Sequence, residues 1–255
     1  MIAVPYHLGR RDVEVGRGPA KILERLPRAC QIVERANSLT GELDAVADVN
    51  AQLARAVAAH PGTPMILAGN CNSCVGTLAG LSKPGIGIVW FDAHGDFNTP
   101  ETTVSGALEG MSLAVATGGC HEELRRRIGL SDPIPEVNCL LVATRSLDER
   151  EAVRLKQSSI SIAGLERLPE ALDNLSQRVT TVYVHLDLDV IDPSLSPGVN
   201  FQEPGGIAPE DLYRSVQLIP SKIPIAAVTI ANFNPDRDRG DRTLTIARRL
   251  LEILA

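Results

Sequence analysis

The chain has 255 residues, 44% of them hydrophobic and 22% charged, enough apolar material for one large domain with its own core. A formal net charge of −6, with Arg125-Arg126-Arg127 the one basic cluster, argues against a nucleic-acid partner. No apolar run is long enough for a bilayer, no basic-then-apolar leader opens the chain, and five cysteines make no even disulfide framework, so a cytoplasmic, reducing location is expected.

Strand and helix signals alternate throughout, the pattern of a mostly parallel α/β sheet with helices on both faces. With no repeat, linker or low-complexity stretch, residues 1–255 read as a single domain. Ile2 to Pro5 is the first expected strand, followed by a Gly-rich loop and a short helix entered at Gly18-Pro19. Cys30 to Arg35 is the second strand, and Glu42 to Ala59 an amphipathic helix stopped by His60-Pro61-Gly62. Met65 to Ala68 is a strand, from which Gly69 to Ser73 turns into a helix near Cys74 to Leu81. Ile86 to Phe91 is β-branched and apolar on both faces, as a central parallel strand is. A long loop, Phe97 to Gly110, leads to a helix near Met111 to Ala116, and the Arg125 triplet reads as a solvated helix face. Leu140 to Ala143 and Ser159 to Ala163 are strands, each followed by a helix, Asp148 to Gln157 and Leu165 to Gln177. Val179 to Leu186 is a strand, with a second long loop, Pro193 to Ala208, before the helix near Pro209 to Leu218. Ile225 to Ile230 and the helix Thr243 to Leu254 complete the pattern, and Cys30, Cys74 and Cys139 are expected in the core.

Two of these strands break abruptly into acid. Phe91 runs into Asp92-Ala93-His94-Gly95-Asp96, and Leu186 into Asp187-Leu188-Asp189, with Asp192-Pro193 just beyond. Buried charges must be paired or must coordinate a metal, and open α/β sheets place their ligand crevice at the carboxyl ends of strands. The strands ending at Ala68, Phe91, Leu186 and Ile230 are therefore expected to surround one site. Both long loops follow the acidic strands, and such loops are uncommon unless functional. Carboxylates with an imidazole suit manganese, magnesium or zinc. Asp92, Asp96, Asp187 and Asp189 carry four negative charges, which two dications almost neutralise; such a pair polarises a substrate and generates hydroxide near neutral pH. Turn or cap roles account for one or two of the aspartates, not for both strand ends. Cys71-Asn72-Ser73-Cys74 also spells a Cys-x-x-Cys, open to a redox or zinc-ribbon reading, although no second pair completes a ribbon unless Cys120-His121 contributes.

Asp92-Ala93-His94-Gly95-Asp96-Phe97-Asn98-Thr99-Pro100 and Asp187-Leu188-Asp189-Val190-Ile191-Asp192-Pro193 resemble the two signature motifs of the ureohydrolases, the family of arginase, agmatinase and formimidoylglutamase. Gly16-Arg17-Gly18-Pro19, the Leu67 to Gly76 loop, Ser105-Gly106 and Asn234-Pro235 follow in the family's order. The resemblance implies a three-layer arginase-like α/β fold, two Mn2+ ions and hydrolysis of a guanidino carbon–nitrogen bond in a small molecule. It places Cys71, Asp92, Asp96 and Asp187 on one ion and His94, Asp92, Asp187 and Asp189 on the other, Asp92 and Asp187 bridging. It also makes Asp96 the group that passes a proton to the leaving amine. Asn98 and Ser105 match positions that hold the amino-acid end of the substrate. Asp148 and Glu151 match acidic positions for its α-amino group, though both also suit the first turn of a helix, and Asn98 also suits a plain loop turn. Ser146 stands where the family has another acid.

The departures are specific. Cys71 takes the place of a ligand His; a metal-bound thiolate is chemically reasonable but soft for manganese, which leaves other divalent metals open. Glu109 replaces the family's acid/base His and could serve if burial raised its pKa; otherwise it is a solvent-facing loop residue. Asn232 replaces the Glu that holds a guanidinium, and an uncharged contact suits the less basic N-hydroxyguanidine better. Together these resemble the Nω-hydroxy-L-arginine amidinohydrolases of D-cycloserine (antibiotic) biosynthesis, which release hydroxyurea and L-ornithine. An arginase- or agmatinase-type hydrolase and a non-catalytic ligand-binding relative remain as alternatives. His185 reads as a core or supporting group, and His7, His60 and His121 match no ligand position. The oligomeric state is open; the lack of a tail after the last helix is compatible with a monomer.

Overall fold

In the computed structural model, which describes residues 1–24, 26, 29–36 and 41–254, the strands in chain order are β1 (Ile2–Val4), β2 (Tyr6–His7), β3 (Arg10–Arg11), β4 (Gln31–Ile32), β5 (Met65–Ala68), β6 (Ile86–Phe91), β7 (Cys139–Val142), β8 (Ser161–Ala163), β9 (Thr181–Asp187) and β10 (Ile225–Ala231). The helices are α1 (Gly18–Leu23), α2 (Glu42–Ala58), α3 (Ser73–Leu81), α4 (Ser112–Ala116), α5 (Glu122–Ile128), α6 (Glu149–Gln157), α7 (Leu168–Ser176), α8 (Pro209–Leu218) and α9 (Arg242–Ile253). Eight strands form one sheet in the order β4-β1-β5-β10-β9-β6-β7-β8, every pairing parallel. No helix among the described residues is long and apolar enough to cross a membrane.

Alternation along the strands sorts the core into two layers. Ile88 and Trp90 of β6 pack with Leu53 of α2, Leu78 of α3 and Leu113 of α4 on one face. Val89 and Phe91 face the other way, onto Leu172 of α7, Leu212 of α8 and Leu250 of α9. Helices thus cover both faces of a sheet whose central strands are buried throughout or along all but their first residue, giving the expected three layers.

The sheet order puts β5, β10, β9 and β6 side by side. These are the four strands expected to surround the site, so their carboxyl ends form one contiguous edge. Gly69, just past β5, lies flat against the Tyr6 carbonyl, where a Cβ would collide with it. The chain can therefore cross closely there and deliver Cys71 to that edge.

Three expectations are corrected. The Cys30 to Arg35 strand shrinks to exposed Gln31–Ile32 at the sheet's margin, and Cys30 is only half-buried rather than core. The Gly-rich loop after β1 contains a hairpin, β2 to β3, turned by Leu8 and Gly9 with φ of 47° and 77°; two positive-φ residues fit the twist of a two-residue hairpin. The Arg triplet lies on α5, but Arg125 is buried, its guanidinium donating to the carbonyls of Leu130 and Ser131 at 2.6 Å each. Only Arg126 and Arg127 remain at the surface, paired with Glu122 and Asp44.

Candidate metal centre

Both acidic strand ends turn on their own first aspartate. The Asp92 carboxylate accepts from the His94 amide at 2.7 Å, and that of Asp187 from the Asp189 amide at 2.9 Å. Such local side-chain to backbone bonds compete with the ladder and stop a strand. Beyond the first turn, Asp96 adopts φ 46°, and its carbonyl accepts the Leu113 and Ala114 amides of α4. Gly95 leaves room for Glu151, which accepts the Phe97 amide at 2.8 Å; a Cβ on Gly95 would stand 2.7 Å from that carboxylate.

The two strand ends are stitched together. The Ala93 amide donates to one oxygen of Asp189 at 3.1 Å, and His94 Nδ1 lies 3.1 Å from the other and 3.3 Å from Asp92. Trp90 Nε1 donates to the second Asp92 oxygen at 3.0 Å. On the far side, the Cys71 thiol donates to Asp187 Oδ2 at 3.1 Å, and the Asn232 amide donates to both Cys71 Sγ and Asp187.

These carboxylates are buried, and burial with mutual repulsion disfavours their charged forms. Burial and then the Asp189 charge push Asp187 up to about 8, and burial and then Asp92 push Asp189 up to about 6. Asp92 and Asp96 are raised for the same reasons. Burial alone would lower the His94 imidazole, but the Asp189 and Asp92 contacts outweigh it and push it up to about 12. Burial holds Cys71 well above the usual thiol range, and it drops His185 to about 3.

Two sets of donor atoms lie within 4.8 Å of one another: Cys71, Asp92, His185 and Asp187, and Asp92, His94 and Asp189. The donor chemistry of both fits divalent ions. Two buried atoms of residues at this edge, Asp96 Oδ2 and His185 Nε2, have no hydrogen-bond partner, and an ion would satisfy them. Asp96, expected on the first ion, lies outside both sets, whereas His185, read from sequence as a supporting group, falls inside the first.

A cleft of about 280 Å3 opens onto the centre and is lined by Cys71, His94, Asp96, Asn98, Ser105, Glu109, Asp148, Glu151, Asp187, Asp189 and Asn232. Every candidate site residue lines it except Asp92, which is fully buried. Glu109 is not the solvent-facing loop residue of the alternative reading; burial, then the Asp187 charge, push its carboxyl up to about 7. Asn98 donates to Asp148 at 3.1 Å, while Asp148, at the start of α6, makes no capping bond with its side chain. Ser105 sits at the exposed rim, accepting the Ala107 amide. Cys74 points away, its thiol directed at the Ser112 carbonyl.

Sequence reasoning missed other residues here. Phe201 stands edge-on to His94 at 5.8 Å, and Glu203 lies 3.8 Å from His94 Nε2. Arg145 ties the Asp189 and Val190 carbonyls to those of Glu203 and Pro204. An Arg bonded only to carbonyls leaves no periodic signal.

The family model described as "Arginase family" matches residues 6–255. The arginase of Bacillus caldovelox is 32% identical over 285 residues, covering 98% of this chain and 95% of that one, and the arginase of Bacillus subtilis is 31% identical, covering 100% and 96%. The solved structure of the Bacillus caldovelox enzyme superposes with a TM-score of 0.86 at 30% identity, covering 99% of this chain and 96% of that one. Parallel strand order, two acidic strand tips sharing one edge and a match along nearly the whole length agree: the chain belongs to the arginase family, the metal-dependent hydrolases of carbon–nitrogen bonds in amidines.

Proposed function

We propose that this single domain hydrolyses Nω-hydroxy-L-arginine to hydroxyurea and L-ornithine at a pair of divalent ions, manganese being the family's metal. Cys71, Asp92, Asp96 and Asp187 would hold one ion and His94, Asp92, Asp187 and Asp189 the other. Bound ions supply an activated water and Lewis acidity toward the planar guanidino carbon.

The observation that carries the substrate choice is Asn232, a buried amide lining the cleft at the end of β10. A carboxylate there would favour a strongly basic guanidinium. An amide favours the less basic hydroxyguanidine, and its polarity suits a hydroxyl group.

The remaining roles follow from placement. Glu109, whose carboxyl is pushed by burial up to about 7, is suited to take a proton and give it back, as general acid/base work requires. Asp96 Oδ2 is unpartnered in the same cleft and can carry a proton to the leaving amine. The Asn98–Asp148 pair and Ser105 would receive the amino-acid end. Glu151, which is bonded to the Phe97 and Asp148 backbones, would stand beside them as an acidic contact for the α-amino group. The cleft is at the small end of ligand pockets, as a free amino acid needs.

Arginine itself is the second reading, favoured by relatives that are arginases. Rates of ornithine release from arginine and Nω-hydroxy-L-arginine, and of putrescine release from agmatine, by the metal-loaded chain separate the readings. A higher kcat/KM for the hydroxylated substrate is expected. Equal or reversed preference would overturn the substrate, and release from none of them would overturn the activity.

A further inference from the structure

We propose that His185 Nε2 is a ligand of the first ion, so that this corner is held by sulfur and nitrogen together with carboxylate oxygens. The inference rests on reading the cluster as a metal centre, and goes beyond the ligand set that the resemblance supplies.

His185 lies on β9 two residues before Asp187, and alternation puts both on the same face. The ring is fully buried and stacks on Trp90, its partner across β6 and β9, with centroids 3.7 Å apart and planes at 15°. Its Nδ1 lies 2.9 Å from the Tyr183 hydroxyl oxygen. With Nδ1–H donating to that oxygen, the lone pair of Nε2 points outward. Metal-bound histidines are oriented in this manner, with the second nitrogen donating to a fixed oxygen.

Nε2 meets no protein partner, and a ring nitrogen of His185 lies within 4.8 Å of donor atoms of Cys71, Asp92 and Asp187; with Nδ1 held by Tyr183, Nε2 is the nitrogen left to serve. Donors around one ion, each about 2.0–2.3 Å from it, sit roughly 3–4 Å apart, within the span of this cluster. A shared cation would satisfy the orphaned nitrogen. Trp90 ties both groups into one unit, since its ring carries His185 and its Nε1 holds Asp92. Cys71 supplies sulfur where the family has imidazole, and His185 returns a nitrogen from another strand. A sulfur, nitrogen and oxygen set favours cobalt or zinc over manganese.

The test is X-ray absorption of the zinc-loaded full chain, with zinc stoichiometry and competition titration. Two bound ions with one sulfur and two imidazoles, from His94 and His185, are expected per chain. His185→Asn is expected to lose one imidazole and to weaken the first ion by roughly a hundredfold or more. Tyr183→Phe, which keeps both rings but frees Nδ1, is expected to weaken it by roughly 10- to 100-fold, the cost of losing a ligand's supporting partner. If His185→Asn does not fold, the wild-type spectrum and Tyr183→Phe decide. Two ions with a single imidazole, or unchanged affinity in folded His185→Asn, would overturn the role of His185 alone. A wild-type chain that takes up no ion would overturn the metal centre itself.

Discussion

The two corners of the centre solve the same electrostatic problem by different means. Around His94, the imidazole Nδ1 lies between the Asp92 and Asp189 carboxylates, whose contacts push its pKa up to about 12, and its side chain is 26% exposed. Around Cys71, neutral donors quiet the charge, as the thiol and the Asn232 amide both point into Asp187, all out of solvent. On the proposed ligand set, an ion at one corner would displace an imidazole proton and an ion at the other a thiol proton. Sulfur in place of imidazole would then change which proton leaves on binding, as well as which metal is preferred.

Asp187 belongs to the Cys71 set yet also holds the Asp189 turn, so it should matter to both corners. Asp187→Asn is expected to bring bound metal well below two ions and activity down by about a thousandfold or more. Asp189→Asn is expected to spare the Cys71 corner. Equal metal loss in the two variants, by elemental analysis, would erase the distinction. Next in size, Glu109→Gln should lower kcat by roughly a hundredfold and remove the limb near pH 7 from the rate profile. A profile that keeps this limb assigns it to another group.

Cys71→His should make the corners alike. A shift of about tenfold toward Mn2+ over Zn2+, read by competition titration, is expected when soft sulfur is withdrawn. The smallest effect is on stability of the metal-free chain. Asp187, Asp189 and Glu109 have folded-state pKa values raised to about 8, 6 and 7. Each therefore stabilises the fold at low pH and loses that contribution as pH rises through its raised value. The metal-free Tm should fall between pH 5 and pH 8, by ~2–4 °C for each kcal/mol lost in a chain of this size. Saturating zinc should flatten or reverse the slope, because an ion binds the deprotonated groups.

Much of the centre was legible because its signal is a violation: an apolar strand that ends in acid, twice. The shared edge followed from the rule for parallel sheets, and the order β5-β10-β9-β6 supplies it. His185 reads as core or support because a histidine inside an apolar strand gives no other signal, and its unpartnered nitrogen shows only in the fold. Arg125 was missed because a run of like charges reads as solvated, although neighbouring helix positions point in different directions. The Leu8-Gly9 hairpin lacks the Asn-Gly or Asp-Gly signal of such turns. Phe201, Glu203 and the burial of Glu109 belong to loops, where no periodicity announces which side chains turn inward.

The strand order also has a consequence for biosynthesis. β10 lies between β5 and β9, although it is the last strand in the chain. A nascent polypeptide must leave that slot open until residue 231 has emerged, and pairings so distant in sequence form slowly. Ion capture at the completed edge would therefore come late, acting as a seal on a finished sheet rather than as a seed for building it.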